Sequence, residues 1–239
     1  MNQISLNNKF INVVQAAREP SFGGNQGWFV EKSLGNMASQ GCGVISAVDT
    51  LLYINGLYNP TLEKYSNEVE RFCRERRFAK LFMNEIKIRK YDNGVISLGI
   101  IPIQMSGFLN RMMKAIGKPF RFRWNGKHGH KDMYQKMKYM LSNDIPVIWS
   151  LYAFGRQIRM YHMSMDCQDF VYADISVNSH YVTVTGIIEG LSAAHPRMIE
   201  VSSWGKRYYI DYDEYLEYVG KSLINAYCSN IMFIKKERY

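Results

Sequence analysis

The sequence lacks the marks of a disulfide scaffold, a structural zinc site and a membrane span. Its 239 residues hold four cysteines, Cys42, Cys73, Cys167 and Cys228, far apart and with no CxxC pair. The usual spacings of structural zinc are therefore missing. Four dispersed cysteines also do not frame a small secreted domain, so free thiols are expected. No apolar run approaches the roughly 18 residues of a membrane-spanning helix. Glycine and proline number only 18 and 6, which excludes a collagenous or linker-rich chain. The opening MNQISLNNKFINVVQAAREP lacks a basic stretch followed by a long apolar one, as a secretory signal would have. A folded cytoplasmic protein without a membrane span is expected. Its length fits a single domain, 1–239, or two small lobes sharing a site.

Acidic residues are scarce in one region. Lys and Arg number 30 against 21 Asp and Glu, a formal net charge of +9. Between Arg71 and Tyr139 the count is 17 basic to 4 acidic. Such a stretch can steer an acidic partner or a nucleic acid. A solvated helix face with a basic loop is the plainer account. The interleaved Phe and Met residues have core spacing rather than that of base-stacking platforms, so no nucleic acid is expected.

The hydrophobic period changes near residue 143. Before it the pattern is mostly helical. From Gly41 to Ile54, Val44, Ile45, Val48, Leu51 and Leu52 form one broad stripe that Gly56 stops. Asn59-Pro60 reads as an N-cap and first-turn proline for a helix from Thr61 to about Lys80. Further helices are expected over Pro102–Ile116, ended by Gly117, and over Lys131–Leu141. After residue 143 the runs beginning at Ile145, Arg156, His180, Arg197, Arg207 and Ala226 are rich in Val, Ile, Tyr and Trp and read as strands. Only Asp213–Val219 reads as helix among them. Helices followed by strands define an α+β fold, with a helical lobe over about 1–143 and a β lobe over about 144–239. Their junction is the place to look for a site.

Cys42 stands at the first turn of the most apolar helix, between Gly41 and Gly43. Free N–H groups and the helix dipole favour a thiolate there and can donate to an oxyanion. A buried structural cysteine is the alternative. A thiolate nucleophile needs a base, and the base an orienting group. Of five histidines, His128 and His130 lie in a polar loop, His195 in a turn before Pro196, and His162 on a polar strand. His180 opens the strand HYVTVTGI and faces whatever cleft lies at the strand mouth. Downstream, Ser202-Ser203-Trp204-Gly205 joins two strands.

Together these segments resemble the papain-like cysteine peptidases. Cys42 with GVISAVDTLLYI is similar to the nucleophile helix of that family, and Ser203-Trp204-Gly205 to its Asn-Ser-Trp-Gly. His180 follows Cys42 by 138 residues, within the family's roughly 130–150. The Cys-Gly-Val start and the IPVIWS…HYVTVTGI strands also resemble the bacterial double-glycine-leader, or bacteriocin-processing, peptidases. The resemblance covers about Asn25 to Tyr215 in three short motifs. It implies a thiol protease with Cys42 as nucleophile, His180 as base and then acid, a peptide or protein substrate, and no metal or organic cofactor.

Two departures stand out. The histidine-orienting Asn or Asp of the family falls on Ser202, with Asp211 as a substitute acceptor. The oxyanion glutamine falls on Gln26 of Asn25-Gln26-Gly27, with Asn36 and Gln40 as rivals. The inserted WFVEKSLGNMAS is then expected as a hairpin over the site. Acyl transfer to an amine, as in transglutaminase-like relatives, and a non-catalytic papain-like module with a basic face are the competing readings.

Overall fold

The computed structural model describes residues 1–15, 19–30, 37–75, 88–89, 95–96, 100–153, 155–164, 166, 169–220 and 222–236. Strand β1 (Asn2–Ser5) leads to a 3-10 turn at Gln26–Trp28, and then to helices α1 (Met37–Gln40), α2 (Cys42–Ile54) and α3 (Leu62–Glu75). Short strands β2 (Ile88–Arg89) and β3 (Val95–Ile96) pair with each other. There follow α4 (Pro102–Ala115), β4 (Phe120–Trp124), α5 (Met133–Ser142), β5 (Val147–Tyr152), β6 (Ile158–Ser164), β7 (Asp169–Val177) and β8 (Ser179–Glu189). The chain continues through β9 (Arg197–Ser203), β10 (Lys206–Asp211), α6 (Tyr212–Val219), α7 (Leu223–Cys228) and β11 (Ile231–Lys236).

The fold is α+β. Nine strands form one antiparallel sheet in the order β4-β11-β5-β8-β9-β10-β6-β7, with β1 also on β8. The helix stops are those expected. Gly56 and Gly117 take φ of 73° and 68° just beyond α2 and α4, where a side chain would be strained. The expected division at residue 143 is incomplete, because β1 and β4 lie before it and belong to the sheet. The start of α3 also differs. Its cap is Thr61, whose Oγ1 accepts from the Lys64 N–H at 3.2 Å, and Asn59-Pro60 lies outside the helix. The expected end of that helix, 76–80, lies outside the described residues, as does Cys167. Ser222 caps α7 by accepting from the Asn225 N–H, so the strand expected from Ala226 begins only at Ile231.

Helix α2 occupies the middle of the molecule. Every residue from Gly43 to Tyr53 is buried, the polar Ser46, Asp49 and Thr50 among them. It packs on α3, α4, β5 and β8, and one continuous hydrophobic core joins it to the sheet. No helix among the described residues is long and apolar enough to cross a membrane.

The β4 edge of the sheet is closed by a side chain. Asn110 of α4 accepts from the Phe122 N–H at 2.7 Å and donates to the Phe122 carbonyl at 3.1 Å. It thus mimics one residue of a further strand, which removes exposed pairing groups. Asn110→Ala leaves both backbone groups without that partner, and should lower the unfolding free energy in urea by about 1–3 kcal/mol. A loss below about 0.5 kcal/mol would mean that water replaces the amide at no cost.

Candidate active site

Four pieces of chain meet around Cys42. The first is the N-terminus of α2. Its sulfur is met by the backbone N–H groups of Cys42, Gly43 and Tyr181, each of which stabilises the thiolate. The surrounding protein nevertheless pushes the thiol above its ordinary pKa, because burial outweighs these contacts. The expected thiolate at a helix N-terminus is therefore right about the helix contribution and wrong about the sum in the unliganded protein. Gly43 is required by close packing, since a Cβ there would overlap Ile100 and lie 3.1 Å from the Tyr181 ring.

The second piece is the start of β8. His180 pairs with Leu151 of β5 on one side. On the other side the recorded β8–β9 pairing reaches only Thr183–Ser202. The imidazole thus sits just beyond the end of that ladder, beneath the β9–β10 turn. Burial lowers its pKa to about 4, so the ring is neutral near pH 7.

The third piece is the turn itself. Trp204 and Gly205 are its two central residues, with φ of 49° and 73°, the left-handed pair that closes a tight hairpin. This strained placement lays the Trp204 ring flat on the imidazole, 4.4 Å between centroids and 18° between planes. It shields the polar contact beneath, because Ser203 Oγ lies 2.7 Å from His180 Nε2.

That contact departs from what the resemblance implies, which is Ser202 in the orienting position. Antiparallel partners share a face, and Ser202 is partnered with Thr183. One step along either strand changes the face, so Ser203 and His180 lie on the opposite side from that pair. Ser202 instead donates from Oγ to the Phe22 carbonyl at 2.7 Å. Asp211, the substitute acceptor, is also engaged elsewhere. Its Oδ2 is 2.7 Å from His195 Nδ1 and its Oδ1 caps α6.

The fourth piece carries Gln26. It lines the same cleft as Cys42, Asp49, His180, Ser203 and Trp204. Asn25 caps its 3-10 turn by accepting from the Gly27 N–H at 2.8 Å. Gln26 Nε2 donates to the Ala38 carbonyl at 2.9 Å, which uses one of its two hydrogens. Of the rivals, Gln40 is exposed on α1 and Asn36 lies outside the described residues. The middle of the segment expected as a hairpin, 31–36, lies outside the described residues; its described ends are a 3-10 turn and a short helix.

Of the other histidines His128 is exposed, and three have structural surroundings. His130 is half-buried against the Ser229 carbonyl, His162 stacks on Tyr208, and His195 pairs with Asp211. Among the described residues no three His, Cys, Asp or Glu side chains gather as a metal site. Sequence reasoning missed Ser203, whose role depends on register, and Asp49, whose signal was plain: one acid inside an apolar helical stripe. Asp49 is 1% exposed, and burial pushes its carboxyl up to about 7 against hydrogen bonds from Tyr65 and Gly24. Comparison with protein-family models, curated proteins and solved structures found no match.

His180 and Asp49 act oppositely on stability. Between about pH 4 and 6.5 the unfolded chain binds a His180 proton that the native protein refuses, so this term gains stability as pH rises. Over much the same range the native protein keeps an Asp49 proton that the unfolded chain gives up, so this term loses stability as pH rises. The first is worth up to about 3 kcal/mol and the second up to about 4 kcal/mol. Relative to wild type, His180→Phe should make urea stability fall as pH goes from 4.5 to 6, and Asp49→Asn should make it rise. Parallel profiles for all three proteins would contradict the assigned charge states.

Proposed function

We propose that the chain is a papain-like cysteine hydrolase that cleaves peptide bonds. One observation carries the reading: a half-buried thiol at a helix N-terminus shares a cleft with a histidine whose Nε2 is held by Ser203 and covered by Trp204. With the ring proton on Nε2 and donated to Ser203 Oγ, Nδ1 is left to accept the proton of the thiol.

Both partners rest neutral, since burial raises the thiol and lowers the imidazole. The thiol proton therefore passes to His180 as the sulfur attacks the carbonyl carbon, rather than from a standing ion pair. The oxyanion formed takes hydrogen bonds from the Cys42 backbone N–H and the remaining Gln26 amide hydrogen. His180 returns the proton to the leaving amine as the C–N bond breaks and the thioester remains. Water, deprotonated by His180, then adds to the thioester, and the thiol leaves with its proton restored.

A second reading has a specific observation behind it. A serine hydroxyl stabilises imidazolium less than a carboxylate does, which suits a binding module that has kept the cleft. Arg121, Arg123 and Lys235 lie on one face of the β4–β11 pair by register and offer such a module a basic surface. The two readings part on chemistry. For a hydrolase, His180→Ala should slow the modification of Cys42 by iodoacetamide, because the imidazole takes up the thiol proton as the sulfur attacks, and a peptide library should be cleaved by wild type but not by Cys42→Ala. Ser203→Ala should lower turnover about ten- to a hundredfold, below the loss found when a carboxylate orienter is neutralised, and Ser202→Ala should lower it less. Cleavage by no library member, with the modification of Cys42 unaffected by His180→Ala, would leave the binding module.

A further inference from the structure

We propose that Asp49 is the positioning residue of this site, tying the nucleophile helix to the Phe22–Gly24 segment so that the Gln26 amide is held opposite Cys42. The inference rests on the hydrolase reading, in which Gln26 serves the oxyanion.

Asp49 follows Cys42 by seven residues, about two helical turns, and so faces the same way. Both line the cleft. Its Oδ1 accepts from Tyr65 Oη at 2.7 Å, and the Gly24 N–H reaches both carboxyl oxygens at 3.1 Å. A carboxyl in a buried apolar helix is unfavourable unless its bonds are made, and here they are made to the segment that leads into Gln26.

That segment is held on every side. The Gly23 N–H donates to the Ile11 carbonyl at 2.7 Å. The Phe22 N–H donates to the Gly205 carbonyl at 2.8 Å, and the Gly205 N–H returns to the Gly24 carbonyl at 2.9 Å. Ser202 Oγ closes on the Phe22 carbonyl. Two glycines let these groups approach. A Cβ on Gly24 would overlap the Tyr65 hydroxyl, and one on Gly23 would overlap Ser202 Oγ and lie 2.7 Å from Asp49 Oδ2. Asp49 thus supplies the link from the nucleophile helix to a strap that the Trp204 hairpin already grips. Gln26 begins two residues later, its turn capped by Asn25 and its amide fixed on Ala38. The Ser202 hydroxyl, displaced from the histidine, has its place in this strap.

The test compares two reactions of Cys42. Acylation by p-nitrophenyl acetate passes through an oxyanion, and alkylation by iodoacetamide does not. Each rate is taken as the difference from a Cys42→Ala control. Gln26→Ala should slow acylation about a hundredfold and alkylation less than about threefold. Asp49→Ala should slow acylation at least tenfold with the same small effect on alkylation, and Asp49→Asn, which can still accept from Gly24 and pair with Tyr65, should recover most of the rate. In the Gln26→Ala background, Asp49→Ala should have no further effect. If Asp49→Ala does not fold, Tyr65→Phe enters the same cycle and should likewise lose its effect there. Effects that multiply, or equal slowing of both reactions, overturn the positioning role and leave the hydrolase standing. A wild type that is not acylated at Cys42 overturns the hydrolase and this inference together.

Discussion

Helix α2 has no solvent face, and the site depends on that constraint. A helix buried along eleven successive residues, Gly43 to Tyr53, is fixed by packing from the helices on one side and the sheet on the other. Its N-terminus cannot drift, so the thiol at Cys42 is delivered to one point against β8. The same burial makes any polar group along the helix expensive unless it is satisfied. Asp49 is satisfied, by Tyr65 from α3 and by Gly24 from the strap. The carboxyl on this buried helix is thus also the joint between helix, strap and hairpin.

Burial sets the charges of the site as well. It raises the thiol of Cys42 and the carboxyl of Asp49 and lowers the imidazole of His180. All three shifts favour the neutral form, as desolvation does for acids and bases alike. In the proposed hydrolase the unliganded site stores no ion pair. Charge appears only as the sulfur attacks, in a place where three backbone N–H groups already point at it. A serine in place of a carboxylate orienter is consistent with that economy: a neutral imidazole asks for an acceptor to fix its tautomer, not for a counter-charge.

Much of this was legible in the chain. The apolar stripe from Val44 to Leu52, its stop at Gly56 and the cysteine at its head predict α2 closely, because a long periodic segment leaves little choice. The strands beginning near Ile145, His180, Arg197 and Arg207 are likewise strong in Val, Ile and Tyr. What failed depends on pairing. β1 and β4 are short and carry too few β-branched residues to stand out; only the sheet makes them strands. DFVYADISV does not stand out as a strand, because Asp174 breaks its pattern; there the chain takes a φ of 54°, next to the irregular β6–β7 register at Met160 and Tyr161. The choice between Ser202 and Ser203 is a one-residue question of register, which no linear motif resolves. The helical stripe contained Asp49, but its partners Tyr65 and Gly24 lie 16 and 25 residues away, and only the fold brings them in.

The proposal that Cys42 is a nucleophile served by His180, Ser203 and Gln26 is tested most directly by a reversible carbonyl trap. A peptide aldehyde labelled with carbon-13 at its carbonyl should add the Cys42 sulfur and give a hemithioacetal, seen as a new tetrahedral-carbon resonance on mixing with the wild-type protein. That resonance should vanish in Cys42→Ala and weaken in Gln26→Ala and Ser203→Ala, because the adduct oxygen and the protonated imidazole lose their partners. An aldehyde that stays free, or that adds equally well to Cys42→Ala, would contradict the account.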